Sequence, residues 1–447
     1  MAGRQPNEAL RQLHEAAGWT LRRFGQEVNK IATERGNPTR YQAPSVHQWL
    51  GGHMPRANVR LLILEALSRR LKRPVTHAEA GFPAPADNGE ASAVEGLLDL
   101  SRQDMDPSRR SIIGAGASLF SVALAIPGWQ DVVGRMEAVQ SGRTQRIGMR
   151  EVESVVTMTD RLSHIDDQLG GRCTRPLAAA FLANTVAPYM RADASVEVRK
   201  AMMTAASFLC YLTGWMAVDE GAHGTAQRYY VKGLQLAGAS GDHLTYCHIL
   251  RGMSVQSVDL GHGPTAVKLA DAASAASPRA GHRMAAFIAG QQAHSYAVAG
   301  ERSQALRSLQ ETEVALGKAD SPLGTFGGYN AATLAYTAAQ VRYALRDVSG
   351  SVKSLELCFR LRNPKFDSRR GDLRFGAMLA ERQLEIGHLD AACATWGKVV
   401  DGYPTIQSGK VDHHVRAMFR LIRPHLKNAS ARDLHERARL VAPSLAA

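Results

Sequence analysis

From about residue 150 onward, small and large side chains return in one fixed relation along this 447-residue chain. In TGWMAVDEGAHGTAQRYYVKG the set is Gly214, Ala217, Ala226, Tyr230 and Gly233. MSVQSVDLGHGPTAVKLADAA repeats it with Ser254, Ser257, Ala266, Ala270 and Ala273. QQAHSYAVAGERSQALRSLQET repeats it with Ala293, Tyr296, Ala305, Leu309 and Thr312. Two weaker copies follow, one with Tyr343, Val352, Glu356 and Phe359, the other with Ala380, Gln383, Ala392, Trp396 and Val399. The markers Ala226, Ala266, Ala305, Val352 and Ala392 lie 40, 39, 47 and 40 residues apart. A period of that length predicts one helical pair per copy, each stacked on its neighbours. The apolar residues are largely Ala, Leu and Val and aromatics make up only 6%, which suits close helix packing better than sheets. The expected fold class is all-α, and the length exceeds what one core ordinarily serves.

Charge divides the chain differently. The net charge is +13, carried by 43 Arg against 11 Lys, with a sequence pI near 9.7. Residues 1–82 hold 13 basic side chains against six acidic ones, so under a fifth of the chain carries about half of the excess. Such a localised patch makes a polyanion the first partner to consider. The same segment is patterned as five short helices. NEALRQLHEAA puts Leu10, Leu13 and Ala17 on one face before Gly18. Thr20 can cap a second helix striped with Leu21, Phe24, Val28 and Ile31. GNPTRYQAP (36–44) reads as a turn, SVHQWL (45–50) as a third helix closed by Gly51-Gly52, and residues 57–71 as a fourth with Leu61, Leu64, Leu67 and Leu71. A fifth turn, HAEAGF, follows Thr76.

WTLRRFGQEVN followed by SVHQWLGGHMPR resembles the Xre/Cro-type helix-turn-helix. The resemblance places Val46 and Trp49 in the core and turns Ala43, Pro44, Ser45, His47 and Gln48 toward a major groove. Double-stranded DNA is the partner it implies. Gln48 then suits a bidentate contact to adenine, His47 a base or phosphate, and Ala43 a thymine methyl. Arg22, Arg23, Lys30, Arg40 and Arg56 are the phosphate-clamp candidates, which set register without reading sequence. One departure is plain: the stretch from Val28 to Ser45 is longer than the family norm.

The five later copies resemble tetratricopeptide repeats, in which small residues let paired helices approach closely, although the period here exceeds that family's ~34 residues. The expected layout is a headpiece at 1–82, a linker and docking helix at 83–150, and a helical repeat domain at 151–447. Within the linker, SRRSIIGAGASLFSVALAIPGWQD (108–131) has the local look of a twin-arginine export signal. It stands a hundred residues inside the chain, so an apolar helix packing Ile112, Ile113, Leu119, Phe120 and Leu124 onto the repeats is expected instead. No stretch reaches eighteen uninterrupted apolar residues, so a membrane span is not expected.

Nucleotide, hydrolase and metalloprotease signatures (GxxxxGKS or GxxxxGKT, GxGxxG after a strand, GxSxG, HExxH) are absent from the sequence. No enzyme, cofactor or metal is therefore expected, and His413-His414 has no third ligand at useful spacing. Cys173, Cys210, Cys247, Cys358 and Cys393 are widely spaced, which predicts buried reduced thiols. Taken together, the two resemblances imply a cytoplasmic, homodimeric DNA-binding transcription regulator whose repeats bind a peptide or protein. A repeat scaffold for protein–protein contacts, with a vestigial headpiece, is the competing reading.

Overall fold

Asn7 accepts a hydrogen bond from the Leu10 amide, and Gly18 ends the helix at φ 62°, which bounds α1 at Glu8–Ala17. Thr20 likewise accepts from the Arg23 amide and starts α2, Leu21–Glu34. The structure, a computed structural model, describes residues 6–34, 38–71, 75, 77, 79–83, 96–101, 104–105, 146–276, 281–319, 329–363 and 367–445. Among them the chain is all-helical, with no strand beyond one isolated bridge between Arg146 and Asp193. Two more helices are described in the N-terminal part, α3 (Ala43–Leu50) and α4 (Ala57–Leu71). Their shared core joins Leu10, Phe24, Val28, Val46, Trp49, Ile63 and Leu67. The stripe expected on α4 is partly out of phase. Leu61 is 44% exposed, and Val59, Leu62 and Ile63 take the buried face. α3 starts two residues earlier than expected, because Pro44, lacking an N–H and fixed in φ, suits a first helical turn as well as a loop.

The helical pairs begin after α5 (Met149–Leu169) and α6 (Gly171–Phe181). α6 continues through a π-helical turn, Leu182–Val186, into Ala187–Arg191. Pro188 sits just past that turn, where the wider winding accommodates its missing donor. Five pairs follow: α7 (Val196–Asp219) with α8 (His223–Ser240), α9 (His243–Asp259) with α10 (Gly263–Ala275), α11 (Gly281–Val298) with α12 (Arg302–Gly317), α13 (Ala331–Ala344) with α14 (Val348–Leu361), and α15 (Arg369–Glu385) with α16 (Leu389–Gly402). α17 (Gly409–Ile422) packs on α15, and α18 (Ala429–Val441) on α16.

Within each pair a small residue on the first helix meets one twelve positions later on the second. The five are Gly214/Ala226, Ser254/Ala266, Ala293/Ala305, Ala339/Ser351 and Ala380/Ala392, all buried, and a Cβ at Gly214 would stand 2.7 Å from the Tyr230 ring. Two of these contacts are also hydrogen bonds, from Ser254 Oγ to the Ala266 carbonyl and from Ser351 Oγ to the Ala339 carbonyl. The fourth copy is thus set one residue away from its expected place. Ala339, Ser351 and Leu355 fill the interface, whereas Tyr343 is 39% exposed and Glu356 only half-buried.

The turns explain this offset. Gly221, Gly261, Gly300, Arg346 and Gly387 occupy the same place between the helices of each pair, all with positive φ. In every case the next residue donates back to the first helix: Ala222 to Ala217, His262 to Ser257, Glu301 to Tyr296, Asp347 to Arg342 and His388 to Gln383, at 2.8–2.9 Å. This is the glycine-type helix stop, and in the fourth pair an arginine is forced into it at φ 68°.

The array also returns on itself. α15 packs against α5, and the segment before α17 runs beside the end of α5. Gln407 donates to the Leu169 carbonyl (2.7 Å) and accepts from the Arg172 amide (3.1 Å). Arg370 on α15 lies buried between Asp166 (2.8 Å) and Asp219 (3.2 Å). Arg172 pairs with Asp412 and Lys410 with Asp259 across the same seam. Of the expected linker, Leu97 and Leu100 join the core of α5–α8, and Leu98 packs on Ala183 and Ala187. The apolar stretch 108–131 lies outside the described residues. α7 is long and apolar enough to cross a membrane, and 78% of that stretch is buried among its neighbours. All five cysteines are buried and unbridged, and burial pushes the Cys210 thiol up to about 12.

Two measurements follow from these turns and interiors. No atom lies within 4 Å of a Cβ built at Gly300, so Gly300→Ala tests conformation alone and should cost about 1 kcal/mol in unfolding free energy. Arg346→Gly should gain about 0.5–1 kcal/mol in the same assay. Acid sensitivity is the second. His248, set against Tyr211 (4.3 Å) and Phe287 (4.9 Å), is pushed by burial down to about 3, and His294 to about 4. Unfolded histidines take up protons near 6.5, so protonation favours the unfolded chain. Stability should fall as pH drops from about 6.5 toward 4, by about 1.4 kcal/mol per unit for each histidine. Thermal unfolding across that window should show a shallower decline in His248→Gln and His294→Gln than in the parent chain.

Candidate nucleic-acid interface

α3 is anchored by its inner face. Val46, Trp49 and Leu50 are buried, and Trp49 stands edge-on to Tyr41 (ring centroids 5.0 Å) and Phe24 (6.5 Å). The Asn7 amide and Arg11 Nε both donate to the Leu50 carbonyl, at 3.1 and 3.2 Å, so the end of α3 is held by α1. With the inner face committed, Pro44, His47 and Gln48 are exposed, and Ala43 and Ser45 half-exposed.

The long connection from α2 is fastened by one side chain. Asn29 Oδ1 accepts from the Tyr41 amide (2.7 Å) and the Thr39 hydroxyl (2.8 Å), while its Nδ2 donates to the Tyr41 carbonyl (2.8 Å). This clamp brings the connection against α2 and opens a cleft of about 530 Å³ between α2 and the start of α3. Four of the expected residues line it: Arg22, Arg40, Ala43 and Pro44. Arg22 and Arg40 are both exposed, so two full positive charges stand at the N-terminal end of α3.

The other expected residues do not line the cleft. His47 and Gln48 lie on the exposed side of α3 beyond it, and Ser45 is partly covered. Lys30 is exposed two turns along α2 from Arg22, and Arg56 is exposed just before α4. Arg23 is drawn aside into an ion pair with Glu27 (2.6 Å). Sequence reasoning missed Gln26, Asn29, Thr39 and Gln42, which also line the cleft. A signal for Gln26 was present, since Arg22, Gln26 and Lys30 follow one another at the four-residue spacing of a helix face.

A family model described as the SP15 N-terminal domain matches residues 10–83. The match takes in most of α1 and all of α2, α3 and α4, and none of the helical pairs. No curated protein matches the chain. The headpiece is thus similar to a recognised domain, and its cleft belongs to the matched part. Among the described residues no group of three His, Cys, Asp or Glu side chains could hold a metal ion, and His414 is hydrogen-bonded to Glu381 at 2.8 Å.

Asn29→Ala removes all three bonds of the clamp, leaving the Tyr41 amide without its acceptor. At about 1–3 kcal/mol for such losses, amide exchange at Tyr41 should quicken by roughly one to two orders of magnitude. Exchange in the middle of α1 should change far less, and equal acceleration throughout the headpiece would instead mark global loosening.

Proposed function

We propose that the chain is a sequence-specific DNA-binding transcriptional regulator, with α2 and α3 as the two arms of a helix-turn-helix. The observation that carries the reading is the pairing at one edge of α3. Its polar side chains His47 and Gln48 are exposed, and Arg22 and Arg40 flank its start. An eight-residue helix with a fixed apolar side and a free polar side has the form needed to enter a major groove. Arginines beside its N-terminus suit the flanking phosphates. The local +7 charge of residues 1–82 supports the same partner.

In this reading the helical pairs form a solenoid of tetratricopeptide-like units that binds a peptide or protein, mediates homodimerisation, or both. The chain then acts in the cytoplasm, without a catalytic step. Paired half-sites in an operator would match two headpieces of a dimer.

An electrophoretic shift on the region upstream of its own gene tests the proposal. Arg22→Glu and Arg40→Glu should weaken binding to every DNA sequence and flatten the dependence on salt, by roughly one unit of slope per lost contact. Gln48→Ala should mainly relax sequence preference, at about 1–3 kcal/mol of discrimination. A folded headpiece that shifts no DNA at low salt would overturn the reading and leave a protein-binding scaffold.

A further inference from the structure

The seam where the array returns on itself encloses a second cavity, of about 470 Å³. Its walls come from both ends of the array: the turn between α7 and α8, the end of α9, α15, and the first turns of α17. Three carboxylates face it, and each already has a cation. Asp219 is held by Arg370 (3.2 Å) and by the Ser408 hydroxyl (2.8 Å). Glu220 is held by Arg175 (2.5 Å), and Asp259 by Lys410 (2.6 Å).

Two further cations line the same space without such a match. Arg374 projects from α15, and its Nε is shielded from solvent with no hydrogen-bond partner. Among the described residues no ion pair within 4 Å involves Arg374; burial works against its charge, but Tyr336, Asp259 and Asp219, acting at longer range, outweigh that and raise its pKa. Arg416, exposed on α17, stands at the cavity as well. Arg374 as a whole is half-buried, and the flat fork of arginine is shaped for a carboxylate or a phosphate. The volume falls within the range of small-molecule sites.

We propose that this cavity binds a small oxyanion metabolite, carrying phosphate or carboxylate groups, with Arg374 as the inner anchor and Arg416 at the rim. Because the walls come from both ends of the array, occupancy fastens its closed form. This inference does not rest on DNA binding, and its test uses no DNA.

Thermal unfolding of the full chain at constant ionic strength, with potassium chloride exchanged stepwise for inorganic phosphate or for citrate, reads it out. The native chain should show a saturable rise of roughly 2–4 °C with at least one of the two anions, and whichever works separates phosphoryl from carboxylate recognition. Arg374→Met should lose the saturable rise. Arg416→Gln should need several-fold more anion for the same effect, and Arg420→Met, exposed on α17 outside the cavity, should respond as the native chain does. An equal rise in Arg374→Met would mark general salting-out and overturn the site. So would no rise with either anion in the native chain.

Discussion

The closed form of the array depends on Arg370 standing between Asp166 and Asp219. Each successive helical pair is joined to the next by small residues and apolar contacts, and such contacts tolerate a range of pitches. What singles out one arrangement is a set of charges contributed by segments some two hundred residues apart. Desolvating an arginine and two aspartates costs several kcal/mol per ion, and the attraction among them repays this only when the geometry is met. Burial pushes the Asp166 carboxyl up to about 7, and Arg370, 2.8 Å away, acts in the opposite sense. Such a group adds little net stability over an apolar substitute, but it penalises any pitch that separates its members. The backbone contact of Gln407 with Leu169 and Arg172 reinforces the same choice, since Gly170, at φ 95°, leaves no room there for a side chain: a Cβ would fall 2.4 Å from the Gln407 carbonyl oxygen.

The helical pairs were legible because their requirement is local. A small residue must face another small residue across each pair, and the twelve-residue separation between them is set by two helix arms and a three-residue turn. Where a glycine marks the turn, the repeat in the sequence coincides with the packed pair. Where Arg346 takes the glycine's position, the mark disappears and the fourth copy was read from Val352 instead of Ser351. The error is one residue, yet it exchanges an interface position (Leu355) for a half-covered one (Glu356). The closing seam had no such signature. Asp166 and Arg370 are 204 positions apart, and nothing in either neighbourhood distinguishes them from solvated charges.

In the headpiece, α1, α2 and α4 were legible from caps and stripes, and the beginning of α3 was not. Proline is equally at home in a turn and in a first helical turn, so residues 43 and 44 carried no deciding information. The cleft was only half legible for a related reason. Arg22 and Arg40 announce themselves by charge, whereas Asn29 is a polar residue in the middle of a helix, and its three bonds depend on where an irregular stretch happens to run. An Asn that faces outward to water and an Asn that fastens a loop are the same letter until the loop is placed.

The segment that follows the headpiece and the seam are connected through one guanidinium. Arg175 on α6 pairs with Glu220, which lines the seam cavity, and also with Asp104, from the segment that follows the headpiece. Asp104 is further tied to the Tyr229 hydroxyl on α8. One cation therefore serves two carboxylates, one belonging to the incoming segment and one to the cavity wall. Any movement that draws Glu220 toward another cation weakens its hold on Arg175 and leaves more of that charge to Asp104. Any movement that withdraws Asp104 does the reverse. Two sites that share a counter-charge in a poorly solvated place cannot change independently, and linkage makes the effect reciprocal. At the seam, the state of the array and the anchoring of the segment next to the headpiece thus meet in the same ion-pair network.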